Sequence, residues 1–384
     1  MDRKKTICLV YEFLTEQGGL EREIINHANY LKEAGYDVTI LTCHLDEKLL
    51  KLLPFDGLKI KVLAKIKTDY ETVSLAQCFM GLSNIDKYNP DLFLTYSFPA
   101  NVLIKNKKCK KINYVNHFPH FLYLDKEERE EWASSTQGIK RKASVFIAKY
   151  FEKGLKKLDK KLLKKNRLIF MNSKFTQARL EKIYRIKSIV SYPPLDPKFK
   201  VVPGTIKEKF VFSSSRIIPD KKYDLLIEAM SYMNNKLPLY VAGTVQEDYR
   251  KKLESFASKC KVKLNFLGRL NTEQIRNYYA SASVFAFPTP GEDFGLVPAE
   301  SMMCGTPVVA WGDGAGPTEQ IIDGVSGYLA KPLDVKDFAK KMDLILDSNM
   351  KKKNSKKIVA AGERFSYNSI KKQFLNEVEK VFIN

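Results

Sequence analysis

Glu292 and Glu300 stand eight residues apart in PTPGEDFGLVPAESMMCGTPVVA (288–310), a stretch otherwise mostly small or apolar. A buried carboxylate is costly unless something hydrogen-bonds it, so this pair asks for a partner. The stretch reads as a buried strand (SVFAFPT), an exit loop (PGEDF) and a helix (GLVPAESMMCG) starting near Gly295. Pro298 fits the first turn, where its missing N–H costs nothing. The free amides of Phe294, Gly295, Leu296 and Val297 then form an anion-binding helix start at the carboxyl end of a strand. Open α/β sheets hold nucleotides at that place. Glu300, one turn in, is too near the anion site to suit a phosphate and suits ribose hydroxyls. Glu292, in the loop, suits the hydroxyls of a second polyol. Both also have plainer roles: Glu300 complements the helix dipole, and Glu292 is an exposed turn residue.

Three further groups carry chemistry. In SSSRIIPDKKYDLLIEAM, Arg216 and Lys221 follow a strand and precede a helix, a placement that clamps a diphosphate and stabilises charge on a leaving nucleotide. Lys222 is a near substitute for Lys221, and which of the two points inward stays open. In EQGGLER, Gly18 and Gly19 follow the first strand and let backbone approach a ligand closely. The spacing is not GxGxxG, so no dinucleotide fingerprint is read. In YVNHFPHF, His117 ends a strand, where a neutral imidazole reaches a substrate hydroxyl or an oxygen at the reacting centre. Tight turns and core histidines are the structural alternatives for these last two.

The positioning elements follow from the pattern around these residues. Apolar runs (TICLVYEF, YDVTILTC, DLFLTYS, INYVNHF, RLIFMNS, SIVSYPP) alternate with helical periods such as REIINHANYLKEAG. That alternation marks βαβ units and a parallel sheet. It pauses at the proline-rich stretch 192–209, a candidate linker. It resumes with FVFSSS, PLYVAGT, KLNFLGR, SVFAFPT and PVVAW, separated by helical segments. The fold expected is α/β, two Rossmann-like doubly wound domains facing a central cleft, over 1–195 and 205–365. A closing helix over 366–384 is placed to return to the first domain.

Composition narrows the function classes. The 384 residues suit two domains, and the 44% hydrophobic fraction supports a packed globular chain. No run of about 18 apolar residues predicts a transmembrane helix, and the short N-terminal apolar run lacks a signal-peptide cleavage site. The six cysteines form no CxxC pair, which favours reduced thiols in a cytoplasmic setting. Pro119 between His117 and His120 spoils a helical HxxH site, so no metal is expected. The net charge of +21 favours an anionic partner. Much of the positive charge falls in 143–167, where Ile147, Phe151, Leu155, Leu158 and Leu162 make one apolar stripe among eight lysines. That helix either packs on its own domain with a solvated lysine face or lies on anionic lipid. A nucleic-acid-binding chain would interleave aromatic and basic residues on one surface. Here the specific motifs sit at strand ends instead.

Taken together these segments resemble the retaining GT-B glycosyltransferases of the GT4 type. The Glu292-x7-Glu300 pair looks like the EX7E signature, and GGLER, SRIIPDKK and GAGPTEQIIDGVSGYL (314–329) match other landmarks in order. YVNHFPHF, NSKFTQARLEKIY and SIVSYPPLD look like segments of mannosyltransferases that build lipid-linked oligosaccharides from GDP-mannose. The match departs at Asn116, before the histidine, and at Ala315, where a glycine is usual. The resemblance implies an acceptor-binding first domain, a nucleotide-sugar-binding second one, and retaining transfer without an essential metal or other cofactor. It gives Arg216, Lys221 and the amides near Gly19 and Phe294 to Val297 to the diphosphate, Glu292 to the sugar, Glu300 to the ribose and His117 to the donor sugar near the reacting carbon. The partners implied are a sugar nucleotide and a glycan or polyprenyl-linked acceptor, with no nucleic acid. The location implied is the cytoplasm or the cytoplasmic face of a membrane, touched through 143–167. A UDP-glucose-type donor with a soluble or polysaccharide acceptor is the alternative. A GT-B phosphorylase would need a lysine setting for pyridoxal phosphate, which is not evident.

Overall fold

Strands buried on both faces read as continuous apolar runs, and the central expected segments fold that way, while SIVSYPP and KLNFLGR give short, partly covered edge strands. The computed structural model describes residues 3–15, 18–50, 53, 55, 57–117, 119–124 and 138–383. The chain divides into two compact units, Met1–Pro194 with Lys371–Asn384, and Leu195–Ile370.

The first unit holds β1 (Thr6–Leu14), β2 (Asp37–Leu45), β3 (Lys59–Val62), β4 (Leu92–Tyr96), β5 (Lys110–Val115), β6 (Leu168–Met171) and β7 (Ile189–Val190). All pairs are parallel, in the order β3-β2-β1-β4-β5-β6-β7. Ile7 lies opposite both Val38 and Leu92, in a centre with no exposed side chain at Ile7 or Leu9. β3 was not foreseen, because its KIKV sequence forms a mostly exposed edge rather than a core run. The helix Gly19–Glu33 opens at Gly19, three residues before the expected Arg22, because Leu20 and Glu21 are already buried.

The closing helix, Tyr367–Ile383, brings Phe374 flat onto His27, with ring centroids 4.2 Å apart and planes at 5°. Burial drives the His27 ring down to a pKa of about 3, so it sits there neutral. The lysine-rich segment forms the helix Gly138–Leu163. Its C-terminal half packs on its own unit: Leu162 and Leu163 are buried, and Asp159 accepts hydrogen bonds from Tyr123 Oη (3.1 Å) and Tyr184 Oη. Along the expected stripe, Leu155 and Leu158 are half-buried and Phe151 is exposed, while the Ile147 side chain lies outside the described ones. Among the described residues no helix is long and apolar enough to cross a membrane.

The second unit holds β8 (Val211–Ser214), β9 (Leu239–Ala242), β10 (Leu264–Phe266), β11 (Val284–Phe287), β12 (Val308–Trp311) and β13 (Gly327–Ala330). They pair in parallel in the order β10-β9-β8-β11-β12-β13. Both units are therefore doubly wound Rossmann-like sheets. Strand order reverses between β1 and β4 in one and between β8 and β11 in the other, the points at which such sheets open a crevice.

Candidate active site

The candidate residues fall into two sets, one per unit. In the second unit, the switch point brings together the exits of β8 and β11. After β8 the chain passes Arg216 and makes a short 3-10 turn, Pro219–Lys221. Lys222 then takes the left-handed region (φ 52°) and caps the helix Tyr223–Tyr232. This turn aims Lys221 at the neighbouring loop: its Nζ lies 2.5 Å from Glu292 Oε2, with both side chains about four-fifths buried. Of the two adjacent lysines, Lys221 is the one that meets Glu292. Arg216 is exposed, and no described carboxylate pairs with it.

The loop after β11 is fastened from several sides. Trp311 Nε1 donates to the Pro288 carbonyl at 2.6 Å, and the Gly291 amide donates to Asp313 Oδ2 at 2.8 Å. The Gly316 amide donates to the Glu292 carbonyl at 2.8 Å, and a Cβ at Gly316 would collide with the Phe294 backbone. Gln320, wholly buried, donates through Nε2 to the Phe294 carbonyl (2.6 Å) and the Gly295 carbonyl (2.8 Å). Gly295 turns the chain into the helix Leu296–Met303 with φ 69°, a conformation L side chains rarely adopt, and a Cβ there would lie 3.0 Å from Glu292 Cγ. No side chain caps that helix. Phe294 is buried, and Leu296 and Val297 are half-buried.

Glu300 is buried and held by a chain of hydroxyls. Ser214, the last residue of β8, lies with its Oγ 2.8 Å from Tyr279 Oη, which donates to Glu300 Oε2 at 3.0 Å. Burial first, and then the Glu300 charge, raise the Tyr279 pKa well above its ordinary value, so the phenol keeps its proton for this bond. Glu292 and Glu300 thus face different partners, a cation and a neutral donor.

In the first unit, Gly18 caps the helix Gly19–Glu33 at the exit of β1 in extended conformation, with no side-chain cap. His117 lies two residues past β5 and is half-buried. Beside it, the Asn116 amide donates to Ser97 Oγ (3.3 Å) and Asn116 Oδ1 accepts from Asn172 Nδ2 (2.9 Å). β4 lies between β1 and β5 in the sheet, so Gly18 and His117 stand at strand ends that are not neighbours.

Sequence reasoning missed Tyr279, Asp313, Trp311 and Gln320 as positioning groups. Tyr279 lies in a helix that reads as ordinary, and Trp311 ends a strand that reads as core. A glutamine in GPTEQ carries no sign that it is fully buried.

The switch point of the second sheet thus carries a lysine–glutamate pair beside a helix start with no side-chain cap, where doubly wound sheets open their ligand crevice. Residues 196–365 match the family model for glycosyl transferases group 1, and residues 17–199 match that for Glycosyltransferase Family 4. The chain belongs to this glycosyltransferase family: it is an enzyme, a GT4-type glycosyltransferase resembling mannosyltransferases, with the GT-B fold. Over 439 aligned residues it is 23% identical to the alpha-1,3/1,6-mannosyltransferase ALG2 of Kluyveromyces lactis, covering 95% of this chain and 82% of that protein. It is 30% identical over 149 residues to a GDP-mannose-dependent monoacylated alpha-(1-6)-phosphatidylinositol monomannoside mannosyltransferase of Corynebacterium glutamicum, covering 36% of this chain and 38% of that one. Among solved structures, Anabaena HepE in complex with UDP-glucose superposes with a TM-score of 0.74 at 18% identity, covering 98% of this chain and 100% of that one, a likeness of fold.

Proposed function

We propose that this enzyme is a retaining hexosyltransferase that moves mannose from GDP-mannose to a lipid-linked saccharide. The observation that carries the reading is the Lys221–Glu292 pair at the switch point of the second sheet, 2.5 Å apart. Glu292 would accept hydrogen bonds from sugar hydroxyls and Glu300 from the ribose. Arg216, Lys221 and the amides from Phe294 to Val297 would meet the diphosphate. His117 would contact the donor sugar near the reacting carbon. As the anomeric carbon–phosphate oxygen bond breaks, the acceptor hydroxyl bonds to that carbon from the same face and its proton passes to the departing phosphate oxygen. The two cations stabilise the charge that develops there, and no resident metal enters the scheme.

The names of the ALG2 and Corynebacterium relatives support mannose and, in the second, GDP-mannose. The acceptor, and a peripheral position on the cytoplasmic face of a membrane through 143–167, rest on the exposed Tyr150 and Phe151 set among exposed lysines. Thermal-shift measurements with GDP, UDP and ADP test the donor, because a ligand that binds only the native state raises the melting point. Stabilisation by GDP above the others is the expected result. Stabilisation by UDP alone would replace mannose transfer with the UDP-sugar reading, and no response to any nucleotide would overturn the donor site.

A further inference from the structure

The helix Glu71–Phe79 of the first unit turns Leu75 and Cys78 toward the core but also carries apolar residues on its outer side. Its buried side chains include two polar ones, Ser74 and Gln77. Ser74 Oγ lies 3.1 Å from His44 Nδ1, and Gln77 closes a pair of bonds with the Ile66 backbone, at 3.0 Å to its amide and 3.1 Å to its carbonyl. The outward face is Thr72, Val73, Ala76, Phe79 and Met80, all exposed and none charged. At 100° per residue these five fall within an arc of about 120°. Met80 is 71% exposed and Phe79 43%, and the hydrogen-bonded Ile66 segment adds another exposed apolar side chain. Contiguous apolar surface of this kind marks an interaction site.

The surroundings say what covers it. The helix Ser97–Leu103 packs against both this helix and the lysine-rich Gly138–Leu163 helix, so the two flank it on one side of the first unit. Lys153, Lys157 and Lys161 are exposed on the second and Lys164 and Lys165 just past its end, while Lys65 and Lys67 flank Ile66 beside the first, with Asp69 as an exposed acidic neighbour. Apolar side chains bordered by ammonium groups match an anionic lipid interface, where the alkyl groups enter the acyl boundary and the lysines meet headgroups.

We infer that the exposed face of the Glu71–Phe79 helix is a membrane-insertion surface for an anionic phospholipid bilayer. It extends the membrane part of the proposed function to a second element, independent of the donor and of the lysine helix's own contribution. The full chain is tested by co-sedimentation with vesicles of equal phosphatidylglycerol and phosphatidylcholine, against vesicles of phosphatidylcholine alone. A variant carrying Val73→Ser, Phe79→Ser and Met80→Ser should bind anionic vesicles at least about ten-fold more weakly, since each fully buried large apolar side chain is worth that much or more. Because Val73 and Phe79 are about half covered, its melting point should fall modestly, and binding is compared at a temperature where both proteins are fully folded. In a separate Val73→Trp variant, indole emission should shift to the blue on anionic vesicles.

A second comparison, with Lys153, Lys157 and Lys161 changed to Gln, isolates the headgroup contribution, and its loss should vanish at high salt. Parent-like binding by the triple serine variant, with binding lost in the lysine variant, would overturn the insertion surface while sparing the lysine-helix reading. Absence of vesicle binding by the parent would overturn both. A parent dimer that the serine variant dissociates, without vesicle binding, would show that a second copy covers this face and would likewise overturn the inference.

Discussion

Gln320→Leu removes two buried donors at nearly constant volume. Its Nε2 holds the carbonyls of Phe294 and Gly295, the residues that lead into the helix Leu296–Met303. Each such bond contributes about 1 kcal/mol net, and stranding a buried acceptor costs about 1–3 kcal/mol. The two together set the expected loss at about 2–4 kcal/mol. For a cooperative unit of this size, 1 kcal/mol moves the melting point by about 2–4 °C, so a fall of about 5–15 °C is expected. Because the same bonds set the Phe294–Gly295 peptides, affinity for a nucleoside diphosphate should drop about ten-fold even where the variant is fully folded. Differential scanning calorimetry reads the first effect and isothermal titration with GDP below the transition reads the second. An unchanged melting point would refute the energetic reasoning. A lowered melting point with unchanged affinity would confine Gln320 to stability and refute its positioning of the anion site.

Tyr279→Phe deletes the hydroxyl between Ser214 and Glu300, and should reduce the preference for a ribonucleoside diphosphate over its 2′-deoxy counterpart by about ten-fold. An unchanged ratio in competition binding would count against the role of Tyr279 in orienting Glu300. Lys221→Ala should weaken diphosphate binding by ten-fold or more while Lys222→Ala stays within about three-fold, since only Lys221 meets Glu292 at 2.5 Å. Equal losses would contradict the assignment. Burial pushes Asp159 up to a pKa of about 6, so its contribution to stability is fully present below its unfolded pKa and is lost as pH rises through 6. Two pKa units correspond to about 3 kcal/mol, and Asp159→Asn should flatten the fall in stability between pH 4 and 7. Parallel denaturation profiles for the two proteins would contradict that sign.

How far the sequence carried the structure depended on what kind of signal each element leaves. Strands such as TICLVYEFL, buried along both faces, announce themselves as apolar runs. The edge strand β3 does not, because three of its four residues are exposed and two are lysines. β13 (GYLA) starts at a glycine whose Cβ would collide with the Val308 carbonyl, a packing reason that composition does not reveal. In the candidate site, Glu292, Gly295 and Glu300 were legible from spacing within a strand-loop-helix pattern. The choice between Lys221 and Lys222 was not, since it depends on a left-handed turn at Lys222. Nor were Tyr279 and Gln320, whose importance lies in contacts 21 and 26 residues away along the chain. The lysine-rich helix was legible as amphipathic, but not that Asp159 would be drawn inward between two tyrosine hydroxyls.

The central claim is that Glu292, held against Lys221 in the second unit, handles the sugar being transferred. Its most direct test is the rate of GDP release from GDP-mannose by Glu292→Gln, with a lipid-linked saccharide as acceptor, at concentrations saturating for the parent enzyme. The substitution keeps shape and removes charge, so the account predicts a loss of at least about a hundred-fold with an unchanged melting point. A folded Glu292→Gln enzyme turning over within a few-fold of the parent would contradict it.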